Sequence, residues 1–237
     1  MTDTLSVAVM AHPRRYDLVD DLLDRLDRPV EVVWDKINDR HDTGIRAIEA
    51  HDPACTHHLV IQDDVMPCRD LIAGAEKALG HVPAGNPASF YLGRVQPFRR
   101  KVQEAVDLAG DSASWVTMQG VYWGPAIVVP TAVIEDLSRW FRSPAAARVT
   151  NYDRRVSKWF EARRLDCWYS WPSLVDHRGA QSLVRESKAL RTAHRFVGAD
   201  RSALDVDWSG PVTTVTGSAR LDRQRQRTAP TPYVEAR

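Results

Sequence analysis

The first 34 residues change hydrophobic period twice, and this restricts the fold more than any other feature. Leu5–Met10 (LSVAVM) is a short apolar, β-branched run that reads as a buried strand. Ala11-His12-Pro13-Arg14-Arg15 breaks it. From Tyr16 to Leu26, Leu18, Leu22, Leu23 and Leu26 recur at helical spacing and predict an amphipathic helix with an acidic outer face. Pro29 stops that helix, and Val30–Trp34 (VEVVW) reads as a second strand. Strand, helix, strand is the opening of a parallel sheet, and such sheets need helices on both faces.

The rest of the chain continues in kind. Asp42–His51 reads as a loop followed by a helix, and Thr56–Gln62 (THHLVIQ) as a third strand. Asp70–Leu79 is predicted helical, Phe90–Leu92 a fourth strand, and Trp115–Met118 and Ala126–Val129 further strands. Thr131–Phe141 and Tyr152–Arg163 look helical, and Cys167–Trp171 strand-like. The expected fold is α/β, a single domain with a mostly parallel, mixed central sheet flanked by helices. It spans 1–204, as halves 1–85 and 86–204, followed by a polar, partly flexible extension at 205–237 with a basic tail from Arg220 to Arg237. No internal repeat is present.

Composition supports one sizeable core: 237 residues, 43% hydrophobic and 27% charged, with 8 Trp. The eight Trp exceed what a site needs, so most are expected in the core. The longest uncharged apolar run, Val121–Val133, is broken by Gly124, Pro125 and Pro130 and is too short to cross a bilayer, so no membrane partner is expected. No basic region followed by an apolar stretch opens the chain, so no signal peptide is expected. Cys55, Cys68 and Cys167 are odd in number and lack CxxC spacing, which fits free thiols in a cytoplasmic setting and excludes a zinc knuckle. Charge is split: residues 1–138 carry 13 Lys+Arg against 21 Asp+Glu, and residues 139–237 carry 19 against 10. Such asymmetry fits a polyanionic partner on the basic half, or two halves that interleave in space and mix their charges. Nothing in the sequence sets the oligomeric state.

The sharpest local feature is His58-Leu-Val-Ile-Gln-Asp63-Asp64-Val-Met-Pro67, a buried strand delivering two carboxylates at its C-terminal edge. Open α/β sheets bind ligands at that edge, and Mg²⁺ or Mn²⁺ commonly takes one or two carboxylates plus phosphate oxygens. Adjacent side chains on an extended strand point opposite ways, so one Asp is expected to face a metal and the other a water, a hydroxyl or the backbone. The plainer reading is a pair of acids opening a turn before Pro67. Downstream, Trp171-Pro-Ser-Leu-Val-Asp-His177-Arg178-Gly179 places a His directly after an apolar run. Thr150-Asn151-Tyr152-Asp153 opens a helix with Asp153 in its first turn, where an acid also suits the positive helix end. Gln119, Trp123 and Gly124 precede the strand at Ala126.

Strand, helix, strand, then Gln62-Asp63-Asp64 after a third strand resembles the GT-A-type, nucleotide-sugar-dependent glycosyltransferases, with a single Rossmann-like domain. The resemblance covers roughly residues 5–185, and each of its motifs is short. It implies that Asp64 ligates Mn²⁺ or Mg²⁺, with Asp63 beside it. Gln62 takes the first motif position, where the family more often has Asp or Glu. It further implies that Ala11, His12 and Arg15 cup the nucleotide, that Asp35 meets base or ribose, and that Arg46, after Gly44, contacts phosphate or sugar. The segment ending in His177 resembles a late family motif in which the His completes the metal shell, with Arg178 and Ser182 on the phosphates. Asp153 takes the place of the base that deprotonates the acceptor hydroxyl in inverting enzymes. Gln119, Trp123 and Gly124 are then placed for sugar or acceptor contact, and the implied donor is a nucleotide sugar, UDP-glucose or another UDP-hexose.

Compact enzymes of this kind occur in bacteriophages, where some glycosylate hydroxymethylated pyrimidines. The resemblance makes 5-hydroxymethylcytosine in DNA the leading acceptor, in the host cytoplasm, with protein or glycan as the alternatives. A DNA acceptor requires a flipped base. Two readings from other classes stand beside this one. A nucleotidyltransferase would show a Gly-rich first loop, which His12-Pro-Arg-Arg lacks. A non-catalytic DNA-binding accessory protein would not need Asp64 and His177 to converge. P-loop, GxGxxG, Ser/His/Asp hydrolase and zinc deaminase signatures are absent.

Overall fold

The structure, a computed structural model, describes residues 3–94, 99–149, 151–179 and 191–215. Ser182, Thr150 and the basic tail from Arg220 lie outside the described residues. The chain opens with strand β1 (Leu5–Ala11), helix α1 (Tyr16–Asp24), strand β2 (Glu31–Trp34), helix α2 (Arg40–Glu49) and strand β3 (His57–Gln62). There follow β4 (Val65–Pro67), α3 (Leu71–Leu79), β5 (Ala88–Ser89), α4 (Arg99–Ala109), β6 (Trp115–Gln119) and β7 (Ala126–Pro130). The remainder is α5 (Ile134–Phe141), α6 (Pro144–Ala147), α7 (Tyr152–Ala162), β8 (Asp166–Ser170), β9 (Val175–His177) and β10 (Val212–Thr214).

β1 pairs in parallel with β2 and β3, placing Ala8 opposite both Glu31 and Val60. The eight-stranded sheet runs β10-β6-β8-β5-β7-β3-β1-β2. β1, β2, β3, β5 and β8 run one way, and β6, β7 and β10 the other. The α/β class with a mixed, mostly parallel sheet is therefore as expected. β3 is buried along His57–Ile61, lying between β7 and β1 inside the sheet with α2 packed against it. A single core spans the sheet, with Trp115, Trp208, Tyr91, Tyr169, Phe90 and Phe160 among its largest buried side chains. Trp123, Trp159 and Trp171 are buried too, so most of the tryptophans serve the core.

Several elements differ from expectation. Phe90–Leu92 is buried but is not a strand; β5 stops at Ser89. The Phe90 carbonyl accepts from the Leu174 and Val175 amides, and the Leu92 amide donates to Ser173 Oγ, so this segment leaves the ladder to carry the later chain. Helix α2 begins at Arg40 instead of after a loop, because the Asp39 side chain caps it by accepting the His41 amide at 2.7 Å. Thr131–Val133 is a 3-10 turn ahead of α5. The apolar residues of helix α4 are Val102, Ala105, Val106, Leu108 and Ala109, and with Leu108 exposed the buried stripe is too weak to read. Beyond residue 204, Trp208 is buried and β10 pairs with β6.

The charge split resolves by interleaving. Arginines of the basic half pair with acids of the acidic half: Arg142 with Glu49, Arg163 with Asp136, Arg178 with Asp21 and Arg195 with Asp111. Arg154 and Lys158 share Glu161. Among the described residues, the surface expected to meet a polyanion is thus largely self-neutralised.

Candidate functional site

The C-terminal ends of β1, β2 and β3, the start of β7, the first turn of α7 and the end of β9 surround a cavity of about 670 Å³. That size suits a small-molecule ligand. It brings together Ala11, His12 and Arg15 after β1, Asp35 after β2, and Gln62, Asp63 and Asp64 at the end of β3. Trp123, Gly124, Asp153 and His177 complete the sequence-predicted part of the lining.

The two acids do not diverge as expected of a strand. β3 ends at Gln62, and Asp63 and Asp64 stand in a turn, so both carboxylates reach one cation. Arg15 Nη1 lies 2.6 Å from Asp63 Oδ1 and 3.1 Å from Asp64 Oδ2. Asp63 Oδ2 accepts the His12 amide at 2.8 Å, tying the end of β1 to the end of β3. Burial pushes the Asp63 carboxyl above its usual range, and the Arg15 charge and hydrogen bond oppose that rise.

The second strand pair builds the rest. β4 and β9 form an antiparallel ribbon with Val65 opposite His177, and the Arg178 amide donates to the Asp64 carbonyl at 2.9 Å. This ribbon brings residues 113 positions apart into contact: His177 Nδ1 is 3.5 Å from Asp64 Oδ1. Both atoms are buried and have no hydrogen-bond partner among the described residues. Tyr91 holds the imidazole edge-on, with ring centroids 5.4 Å apart. Burial lowers the His177 pKa, with Asp64 opposing, so the ring favours its neutral, lone-pair-bearing form. An orphaned carboxylate oxygen beside an orphaned imidazole nitrogen fits a divalent ion. Donors sharing one such ion at about 2.1 Å each lie about 3–3.5 Å apart. No group of three or more His, Cys, Asp or Glu ligands occurs among the described residues, so these two are the donors that the described residues offer.

Helix α7 forms another wall. Asn151 precedes it in the extended N-cap conformation, although its side chain makes no cap bond. Asp153 lies in the first turn, its Oδ1 accepting the Arg154 amide at 2.8 Å. Tyr152, which lines the cavity, donates its hydroxyl to the Gly124 carbonyl at 2.8 Å, and Gln62 Nε2 reaches that hydroxyl at 3.4 Å. Gly44 and Gly124 permit this packing: a Cβ on Gly44 would meet Tyr152 Cγ at 2.6 Å, and one on Gly124 would meet Gln62 Nε2 at 2.6 Å. Gly44 therefore serves close packing, not a phosphate loop.

Other expected contacts fall elsewhere. Arg46 does not line the cavity; it pairs with Asp42 at 2.7 Å and donates to the Trp34 carbonyl. Arg178 binds Asp21 and the Val65 carbonyl, which turns it away. Gln119 is exposed at the end of β6, opposite Asp166, and is not part of the lining. Ser182 lies outside the described residues. Asp35 does line the cavity, and its Oδ1 also accepts the Ile37 and Asp39 amides, shaping the loop after β2. Sequence reading misses Tyr91, Tyr152, Asn38, Asp39, His41 and Arg191, which also line the cavity. Tyr152 carries a signal, since it opens the helix that contributes Asp153.

No protein-family model matches the sequence, and no curated protein matches it. Solved structures similar to it include CMP:2-keto-3-deoxy-manno-octonic acid synthetase complexed with CTP. That match has 10% identity and a TM-score of 0.42, covering 70% of this chain and 89% of that one. A Drosophila galactosyltransferase mutant in complex with manganese, UDP-Gal and xylobiose has 10% identity and a TM-score of 0.41, covering 76% and 72%. A glycosyltransferase involved in glycosylation of the major capsid of PBCV-1 has 11% identity and a TM-score of 0.33, covering 68% and 78%. At these identities and scores, the function of this chain has to be argued from its own residues.

Proposed function

We propose that the chain is a metal-dependent, nucleotide-sugar-dependent glycosyltransferase of the GT-A type. The supporting observation is the pair of orphaned, buried donors, Asp64 Oδ1 and His177 Nδ1, 3.5 Å apart in a cavity that also holds Asp153. Asp64 and His177 hold Mn²⁺ or Mg²⁺. When bound, that ion neutralises the diphosphate leaving group of the donor. Arg15 and Arg191 add positive charge to the same cavity for phosphate oxygens. Asp35 and the loop it shapes receive the base or ribose of a UDP-hexose. Asp153 accepts the proton of the acceptor hydroxyl as it attacks the anomeric carbon, which inverts the sugar. Trp123 and Gly124 border the sugar and acceptor.

Among the described residues several arginines of the second half pair with acids, so 5-hydroxymethylcytosine DNA enters as one acceptor to test beside protein and glycan hydroxyls. The test incubates the protein and Mn²⁺ with a panel of UDP-, GDP- and CMP-sugars, UDP-glucose first, with each acceptor, and weighs the products. A hexose-sized mass gain on one acceptor, abolished in Asp64→Asn and His177→Ala, supports the reading. Release of pyrophosphate from CTP and a free sugar would instead support a nucleotidyltransferase. If no donor is consumed, and no nucleotide stabilises the protein in the presence of Mn²⁺, the transferase reading fails.

A further inference from the structure

Arg15 occupies the acid pair itself. Its side chain is 11% exposed, and one guanidinium nitrogen bridges Asp63 and Asp64 at 2.6 and 3.1 Å. Asp63 has both oxygens engaged, one by Arg15 and one by the His12 amide. Asp64 has one oxygen toward Arg15 and the other toward His177. The two carboxylates thus already share a full positive charge, and the chain offers an ion one carboxylate oxygen and one neutral imidazole. A divalent cation entering here meets a fixed cation a few ångströms away in a buried, weakly screened place. Ions of this kind in phosphate sites complete their shell with substrate oxygens.

We infer that Arg15 is a built-in counter-cation that holds the site closed to a divalent ion until a nucleotide diphosphate arrives. This inference rests on the proposed metal site at Asp64 and His177. Arg15 makes metal binding conditional: the diphosphate brings the negative charge that offsets both cations. Arg15 then serves as a positioning residue for the acids, and its guanidinium is placed to follow the phosphate charge.

The test is Mn²⁺ titration of the full chain at pH 8, without nucleotide, followed by electron paramagnetic resonance of free Mn²⁺. The wild type is expected to bind Mn²⁺ weakly alone and at least tenfold more tightly when saturated with UDP. Arg15→Met should bind Mn²⁺ alone at least tenfold more tightly than the wild type. Arg15→Lys, which keeps the charge, should stay close to the wild type. If Arg15→Met does not fold, as judged by circular dichroism, Arg15→Gln replaces it. Nucleotide-free binding that is unchanged or weaker in the neutral variants overturns the role of Arg15, while UDP-dependent Mn²⁺ binding lost in Asp64→Asn leaves the metal site standing. If Mn²⁺ binds neither with UDP nor without it in any variant, or if the tight binding of Arg15→Met survives Asp64→Asn, the metal site itself falls, and this inference with it.

Discussion

His58 makes the stability of this fold depend on pH in a way that can be isolated. It lies fully buried in β3, with Nδ1 2.8 Å from Ser6 Oγ and Nε2 2.7 Å from the Ala47 carbonyl. Nε2 must donate to that carbonyl, so Nδ1 accepts the Ser6 hydroxyl proton and the ring is neutral. Burial lowers its pKa from 6.5 to about 4, outweighing the hydrogen bond to Ala47. The unfolded chain therefore takes up a proton below about pH 6.5 that the folded chain refuses until about pH 4. The stability tied to neutral His58 is complete above pH 6.5 and is lost as pH falls through that window. The loss is about 2 kcal/mol by pH 5 and about 3 kcal/mol by pH 4, a large share of a typical total of about 5–15 kcal/mol. His57 and His177 are also lowered by burial and act in the same direction, so the wild-type curve alone does not single out His58. His58→Gln keeps an amide donor for Ala47 and does not titrate. Urea unfolding of both proteins at pH 7, 6, 5 and 4 gives the difference. At pH 7 the wild type should be more stable by about 1–3 kcal/mol, since Ser6 Oγ loses its shortest hydrogen bond in the variant. That advantage should shrink by about 3 kcal/mol at pH 4 and so vanish or reverse. An advantage that stays constant across the range would refute a buried, neutral His58.

Three further outcomes follow from the geometry. Asp153→Asn should lower kcat by about 10²–10⁴ while Mn²⁺-dependent protection by UDP in a thermal melt is retained; equal loss of both would mean that Asp153 acts in binding. Tyr169→Phe removes a buried hydroxyl that donates to the Gly120 carbonyl and accepts the Tyr122 amide, both at 3.0 Å. It should cost about 1–3 kcal/mol and speed hydrogen exchange at the Tyr122 amide, and unchanged exchange there would show that the hydroxyl does not hold this segment. Gly74→Ala drives a Cβ to 2.1 Å from Ala203 Cβ and 2.9 Å from its carbonyl carbon, so α3 and the 203–205 turn must separate. The expected cost is about 1–3 kcal/mol or more by denaturant unfolding, and a neutral effect would mean the two segments part freely.

What could be read from the sequence, and what could not, divides along one physical line. β1, α1, β2 and β3 were readable because each carries its own period and each is covered on its own terms. β5 has two residues, and β4 and β9 have three each, too few to show a period. Yet the β4–β9 ribbon sets His177 against Asp64, and it does so by backbone pairing across more than a hundred residues, for which no local pattern exists. The pairing of those two residues came from family resemblance and not from spacing. The same limit explains Arg46 and Arg15. Arg46 sits four residues after Asp42, a spacing at which a helix pairs charges internally, and that local bond removes it from the cavity. Arg15 has no acid at such a spacing that claims it, so it reaches across the strand ends to Asp63 and Asp64, 48 and 49 positions away. The charge split follows the same logic. Halves that differ by sign along the chain attract once the sheet lays them side by side, and Arg142–Glu49, Arg163–Asp136, Arg178–Asp21 and Arg195–Asp111 are the result. A basic stretch signals a polyanion partner only where the fold keeps acids away from it. Among the described residues the fold brings acids to Arg142, Arg163, Arg178 and Arg195, so these four do not by themselves mark a surface for DNA.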